Sequence, residues 1–151
     1  MIYSKDDPEK YDYLKYYPIV HRYFRKKYDL TTPELDLILF LMSERIFTKR
    51  KFQEFNEILT WNKKRFDNLL ENGWISVFRP ASDGMSARYE LSYKARRMVR
   101  QLYRTILNQE IPELPAQNPM FKKDVSYMDK VYRNAIKQMN KETKRKKKQP
   151  K

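Results

Sequence analysis

With 151 residues and a formal net charge of +14, the chain has room for one compact domain plus appendages. It is biased toward polyanionic partners, because clustered Lys and Arg gain affinity by releasing counterions from phosphates. The chain has no cysteine, which excludes disulfides, thiolate metal sites and cysteine nucleophiles, and its two glycines are too few for a Gly-rich phosphate loop.

From the N-terminus, Tyr13, Leu14, Tyr17, Val20, Tyr23 and Phe24 return to one face of a helix expected over Tyr11 to Tyr28, which Pro18 either starts or kinks. Its aromatics, Tyr11, Tyr13, Tyr16, Tyr17, Tyr23 and Phe24, suit either a core or a subunit interface. Thr31-Thr32-Pro33-Glu34 supplies a capping hydroxyl, a first-turn proline and an acid at the positive end of the dipole. The helix that follows is apolar at Leu35, from Leu37 through Met42 and at Ile46, and is expected at the centre of the core. Thr48 opens a short third helix with Phe52 and Phe55 inward, and Thr60 is the expected cap of a fourth, over Trp61 to Asn72, closed by Gly73. The segments around Trp74 to Arg79 and Ala87 to Leu91 alternate like strands about Ser82-Asp83-Gly84, so a two-stranded hairpin is expected over about 75–91. Ser92 caps a fifth helix with Ala95, Met98, Val99, Leu102, Ile106 and Leu107 at helical spacing.

Pro112, Pro115 and Pro119 mark residues 111–123 as a linker after a domain over 1–110. Val125, Met128, Tyr132, Ala135, Ile136 and Met139 then share a face of an amphipathic helix over 124–140. Residues 141–151 read as a basic tail without fixed geometry. The fold class expected is mainly α (α+β): a winged helix-turn-helix with a two-stranded wing, flanking helices and an extra C-terminal helix.

In that arrangement the fourth helix carries the chemistry. Phe66, Leu69 and Leu70 point inward, which turns Trp61, Lys64, Arg65 and Asn68 outward, with Lys63 at the flank. Lys or Arg can donate to guanine O6 and N7, and Asn can pair with adenine. Arg79 and Arg88 of the hairpin are candidates for phosphate or minor-groove contact, and Lys144, Arg145, Lys146, Lys147 and Lys148 for nonspecific phosphate contact. His21, the single histidine, has no nameable catalytic or metal-binding partner.

From about Tyr11 to Gln109 the chain resembles the MarR-type (multiple-antibiotic-resistance regulator) winged-helix family. Leu30 to Leu39 looks like the start of the family's second helix, and Leu69-Leu70-Glu71-Asn72-Gly73-Trp74-Ile75 like the end of its recognition helix. Asp83 precedes Leu91 by the family's wing spacing, and Leu91-Ser92-Tyr93-Lys94-Ala95 fills the next helix start. Met85 stands where the family usually has Arg, and the third-helix stretch departs from the usual Leu-Ala pairing. The resemblance implies a homodimer through the first and fifth helices, with two recognition helices about one turn apart on duplex DNA. It also implies a family habit of binding small aromatic acids.

The expectation is a non-enzymatic, double-stranded-DNA-binding protein, a dimeric transcriptional regulator. It needs no cofactor or metal and lies in the cytoplasm, at the nucleoid or, if phage-encoded, in host or virion. The apolar run Leu37 to Met42 is too short for a membrane span. Two alternatives stand beside it: a nonspecific architectural or packaging protein, phage-encoded or otherwise, and a winged-helix scaffold whose C-terminal helix docks another protein.

Overall fold

The computed structural model describes residues 14–107 and 109–148, the side chains of Lys147 and Lys148 excepted. Tyr11 and Tyr13 of the expected first helix, and residues 149–151 of the expected tail, lie outside the described residues. The described chain is mixed α and β, with six helices and a three-stranded antiparallel sheet, an arrangement compatible with a winged helix. None of these helices is long and apolar enough to cross a membrane. Two compact units divide the chain, Thr31–Arg100 and the pair Met1–Leu30 with Gln101–Lys151. This division differs from a domain over 1–110 followed by a linker.

In the Thr31–Arg100 unit, α2 (Thr32–Leu41) opens with a reciprocal capping box. The Glu34 N–H donates to Thr31 Oγ1 at 3.3 Å while the Thr31 N–H donates to Glu34 Oε1 at 2.9 Å. Leu35, Leu37, Ile38 and Leu41 are buried. The helix stops five residues before Ile46: Glu44 N–H bonds back to Leu41 O, and Arg45 takes a left-handed φ of 61°. Ile46 therefore belongs to a strand, β1 (Ile46–Phe47), and the sheet has three strands rather than two.

Thr48 caps α3 (Lys49–Ile58), accepting from the Lys51 N–H at 3.1 Å. Phe52 is fully buried, whereas Phe55 is half-buried and stacks on Phe40 with ring centres 5.4 Å apart. After a turn comes α4 (Arg65–Glu71), which ends in a Schellman motif: the Trp74 N–H reaches Leu69 O at 2.9 Å and the Gly73 N–H reaches Leu70 O at 3.2 Å. Gly73 takes the φ of +78° that this motif requires.

The hairpin β2 (Ile75–Arg79) and β3 (Arg88–Leu91) pairs Ile75 with Leu91, Ser76 with Glu90 and Val77 with Tyr89. A bulge follows before Arg79 meets Arg88. At the tip, Asp83 and Gly84 both take positive φ, 33° and 77°, between the bridged Ser82 and Met85. That is the primed turn that suits the twist of a hairpin. β1 adds to the other side of β3, with Ile46 opposite Glu90 and Phe47 opposite Tyr89. Ser92 then caps α5 (Tyr93–Leu107), accepting from the Ala95 N–H at 3.2 Å, and the division between the units falls within this helix.

In the other unit, α1 (Tyr17–Lys27) carries Pro18 in its first turn, where a proline forfeits no helical hydrogen bond. The expected linker packs against the fold. Ile111 and Met120 are buried, a 3-10 turn spans Pro119–Phe121, and side chains of α6 (Tyr127–Lys148) hold the segment's backbone. Asn140 accepts from the Ile111 N–H at 2.9 Å and donates to the Ile111 carbonyl at 2.8 Å. The Arg133 guanidinium donates to the carbonyls of Met120 and Lys122. Helix α6 also runs eight residues past the expected end at 140, so the first part of the basic tail is helical.

One buried ion pair fastens α1 to α6. Arg22 donates from Nε and Nη2 to Asp129 Oδ1, at 3.0 and 2.8 Å, and its guanidinium covers the Tyr132 ring at 4.6 Å. Lys26 approaches the second oxygen at 3.7 Å. Because the Asp129 side chain is only 8% exposed, removing either partner strands a charge. Asp129→Ala and Arg22→Ala should each destabilise the chain by about 2 kcal/mol in urea unfolding. The double variant should lose less than the two single losses together; strict additivity would show the pair to be uncoupled.

Burial and, secondarily, the nearby Tyr28 phenolate push the Tyr23 hydroxyl from 10.0 up to about 12. The unfolded chain ionises this group first, so its contribution is whole below pH 10 and is lost as the pH rises toward about 12. Tyr23→Phe should therefore flatten the alkaline fall in stability across that window. An unchanged slope in urea titrations at pH 9 to 12 would contradict it.

Candidate nucleic-acid interface

The orientation of α4 is set by an aromatic ladder. Phe66 meets Phe52 of α3 edge-on at 5.1 Å and Tyr89 of β3 edge-on at 5.0 Å, and Tyr89 in turn lies 6.4 Å from Phe47 of β1. With Phe66 and Leu69 buried, Asn68 falls on the exposed side of the helix. Lys64 lies one turn before it and is also exposed.

The helix is shorter than the sequence suggests. It starts at Arg65 with Lys64 as its N-terminal flanking residue, so Trp61, Lys63 and Lys64 stand in the preceding turn and not on the helix. All three are exposed. Thr60 does not cap; it takes a φ of 66°, and the side chain that holds the turn is Asn62, whose Oδ1 accepts from the Lys64 N–H at 2.9 Å.

A buried polar knot explains this geometry. Asn56, fully buried on α3, donates to Gln53 Oε1 at 2.8 Å and to the Asn62 carbonyl at 2.9 Å. Arg65 Nη1 donates to Asn56 Oδ1 at 2.8 Å, to the Leu59 carbonyl at 3.1 Å and to the Thr60 carbonyl. These carbonyls belong to the end of α3 and the strained turn, where no helical N–H remains to satisfy them. Arg65 is thus half-buried and holds the turn. It is not turned outward like Lys64 and Asn68, which corrects its expected placement beside them.

On the hairpin, Arg79 is exposed and Arg88 is half-buried, with Nη1 donating to Ser86 Oγ at 3.1 Å. The two face each other across the ladder, and like charges so placed repel unless an anion lies between them. Lys144, Arg145 and Lys146 are exposed on α6, in the other unit, while the side chains of Lys147 and Lys148 lie outside the description.

Sequence reasoning missed two groups. Lys49 lies over the Phe66 ring at 5.0 Å, and Lys94 over the Trp74 ring at 4.0 Å, where it also donates to the Asn72 carbonyl at 3.2 Å. Arg45, Arg96 and Arg100 line a pocket of about 530 Å³ floored by Leu41, Met42, Ile46 and Leu91, with Glu90 at its wall. The i, i+4 spacing of Arg96 and Arg100 was visible; the convergence of Arg45 upon them needed β1. Among the described residues, no three His, Cys, Asp or Glu side chains gather as a metal site. No protein-family model, curated protein or solved structure matches the chain, so the likeness to the MarR-type family rests on the quoted residues alone.

The division of roles between neighbouring residues is testable by stability alone. Arg65→Ala should cost about 2 kcal/mol in urea unfolding, because a buried amide and two carbonyls lose a charged donor. Lys64→Ala should change stability by less than about 0.5 kcal/mol, as exposed sites do. Equal effects would contradict the assignment of Arg65 to the turn.

Proposed function

We propose that the chain is a DNA-binding protein of winged-helix type, a transcriptional regulator that seats α4 and its preceding turn in the major groove. The observation that carries this reading is the exposure of Lys63, Lys64 and Asn68 in the turn and first helical turns of a helix-turn-helix whose hairpin follows directly. In this reading Asn68 pairs with an adenine edge, Lys64 contacts a guanine edge, and Lys63 a phosphate. Arg79 and Arg88 straddle a phosphate of the adjacent backbone, which relieves their mutual repulsion. Trp61, 52% exposed, covers a sugar or base at the entry to the helix. Arg65 contributes by fixing the turn.

Homodimerisation is part of the proposal. Tyr103 and Leu107, one turn apart on α5 and both exposed, support it, since an exposed apolar pair at i, i+4 suits a helix-to-helix interface. On α1, by contrast, Tyr23 and Phe24 are buried within the single chain and are not open for that purpose.

Selection of bound fragments from random genomic DNA, at two salt concentrations, tests the function. The wild type should enrich a short inverted repeat at both. Lys64→Ala with Asn68→Ala should abolish the enrichment while the melting temperature stays within about 2 °C. Uniform retention of all fragments by the wild type would sink the regulator reading, and absence of binding would sink DNA binding altogether.

A further inference from the structure

The basic C-terminal segment read from the sequence as a tail without geometry is instead the second half of α6 (Tyr127–Lys148). A helix fixes where its charges point. At 3.6 residues per turn, Lys130, Lys137, Lys141, Lys144 and Arg145 fall within an arc of about 100° on one side. All five are exposed, whereas Asp129, Ile136, Met139 and Asn140, which all fall outside that arc, are buried. From Lys130 to Arg145 the stripe runs about 22 Å along the axis.

Acids do little to shield it. The acids of α6 are Asp129, committed to Arg22 and Lys26, and Glu142, which lies off the stripe and faces Lys15 at 3.7 Å. Among the described residues, Lys144 alone of the five has an acid in ion-pair range, Glu110 at 3.9 Å, and both side chains are well exposed. The spacings Lys137 to Lys141 and Lys141 to Arg145 are i, i+4, and Lys141 to Lys144 is i, i+3, so like charges are stacked where they repel and loosen the helix. Attraction to the negative end of the helix dipole accounts for lysines in the last turn, but it fades within one turn and reaches neither Lys130 nor Lys137.

We propose that this face of α6 is a second binding surface, separate from α4, for the phosphodiester backbone of duplex DNA. A row of cations along one side of a helix matches a polyanion of regular charge spacing; the phosphates neutralise the repulsion along the row, and the release of condensed counterions adds to the affinity. An anionic lipid surface is the weaker match, because a helix lying on a membrane buries its apolar face in the lipid, and Ile136 and Met139 are already buried in the protein. The inference stands on residues of the other unit and does not require α4 to read bases.

The test compares the full-length wild type with the variant Lys130→Gln, Lys137→Gln, Lys141→Gln, Arg145→Gln, which keeps good helix formers at every position. Binding to a 30-base-pair duplex of arbitrary sequence is measured across a salt series. Each phosphate contact contributes about −0.9 to the slope of log K against log salt, so loss of four should make the slope shallower by roughly 3 to 4. Lys64→Ala with Asn68→Ala should alter that slope by no more than about 1. In parallel, lysine acylation of the wild type, read by mass spectrometry, should show Lys130, Lys137 and Lys141 protected by the duplex but not by vesicles containing phosphatidylserine. That arm decides the matter even if the quadruple variant fails to fold. An unchanged slope in a folded variant, unprotected lysines in the presence of bound duplex, or protection by vesicles alone would overturn the proposal. A wild type that shows no sequence preference while the α6 effects stand would overturn only the function proposed above.

Discussion

The contact on which the Thr31–Arg100 unit depends is the edge-on packing of Phe66 between Phe52 and Tyr89. A seven-residue helix such as α4 (Arg65–Glu71) is too short to hold its own shape in water, so its rotation and its existence both come from tertiary packing. One ring, pinned from α3 on one side and from β3 on the other, settles which side chains face outward. The Schellman ending at Gly73 then brings Trp74 in as a buried plug and starts β2 in register. Helix α4 and the hairpin are thus tied together, and the position of Asn68 is coupled through Phe66 and Tyr89 to that of the hairpin.

The parts of this arrangement that were legible in the sequence are those whose causes are local. The Thr31, Thr48 and Ser92 caps, the Gly73 stop and the Asp83-Gly84 turn each declare themselves within four residues, and each stands as expected. What the sequence concealed are the elements made by distant partners. Ile46 falls at helical spacing from Met42 and reads as part of α2, and only the pairing of Ile46 and Phe47 with Glu90 and Tyr89, more than forty residues later, makes them a strand. Likewise, Arg65 sits in a basic triplet, Lys63-Lys64-Arg65, whose members look equivalent. The acceptors that separate it from the others are a buried amide nine residues earlier and two carbonyls that a continuous helix would have satisfied. Periodicity places a side chain on a face but does not foresee a chain break that consumes it.

The same reasoning explains the C-terminal third. Three prolines within residues 112–119 argue correctly against helix, yet absence of helix is not absence of packing. Asn140 satisfies both backbone groups of Ile111, and Asn118 accepts from the Met120 N–H at 3.1 Å while donating to the Pro112 carbonyl at 2.8 Å. Two asparagines and Arg133 therefore do for this segment what a sheet or helix ladder does elsewhere: they satisfy backbone groups that burial would otherwise leave unpaired. Such side-chain ladders leave no periodic trace in a sequence.

The packing of α6 also changes what its charge can mean. A disordered cluster of lysines adapts to any polyanion and specifies little beyond attraction. When the helix carrying them is fastened by the Arg22–Asp129 pair and by Ile136 and Met139, the cations lose that freedom and gain a direction. Part of the ordering entropy that a flexible tail would lose on binding has already been offset by folding. The buried ion pair and the cationic row of α6 are consequently parts of a single arrangement: the first holds the helix in place, and the second gains geometric definition from being held.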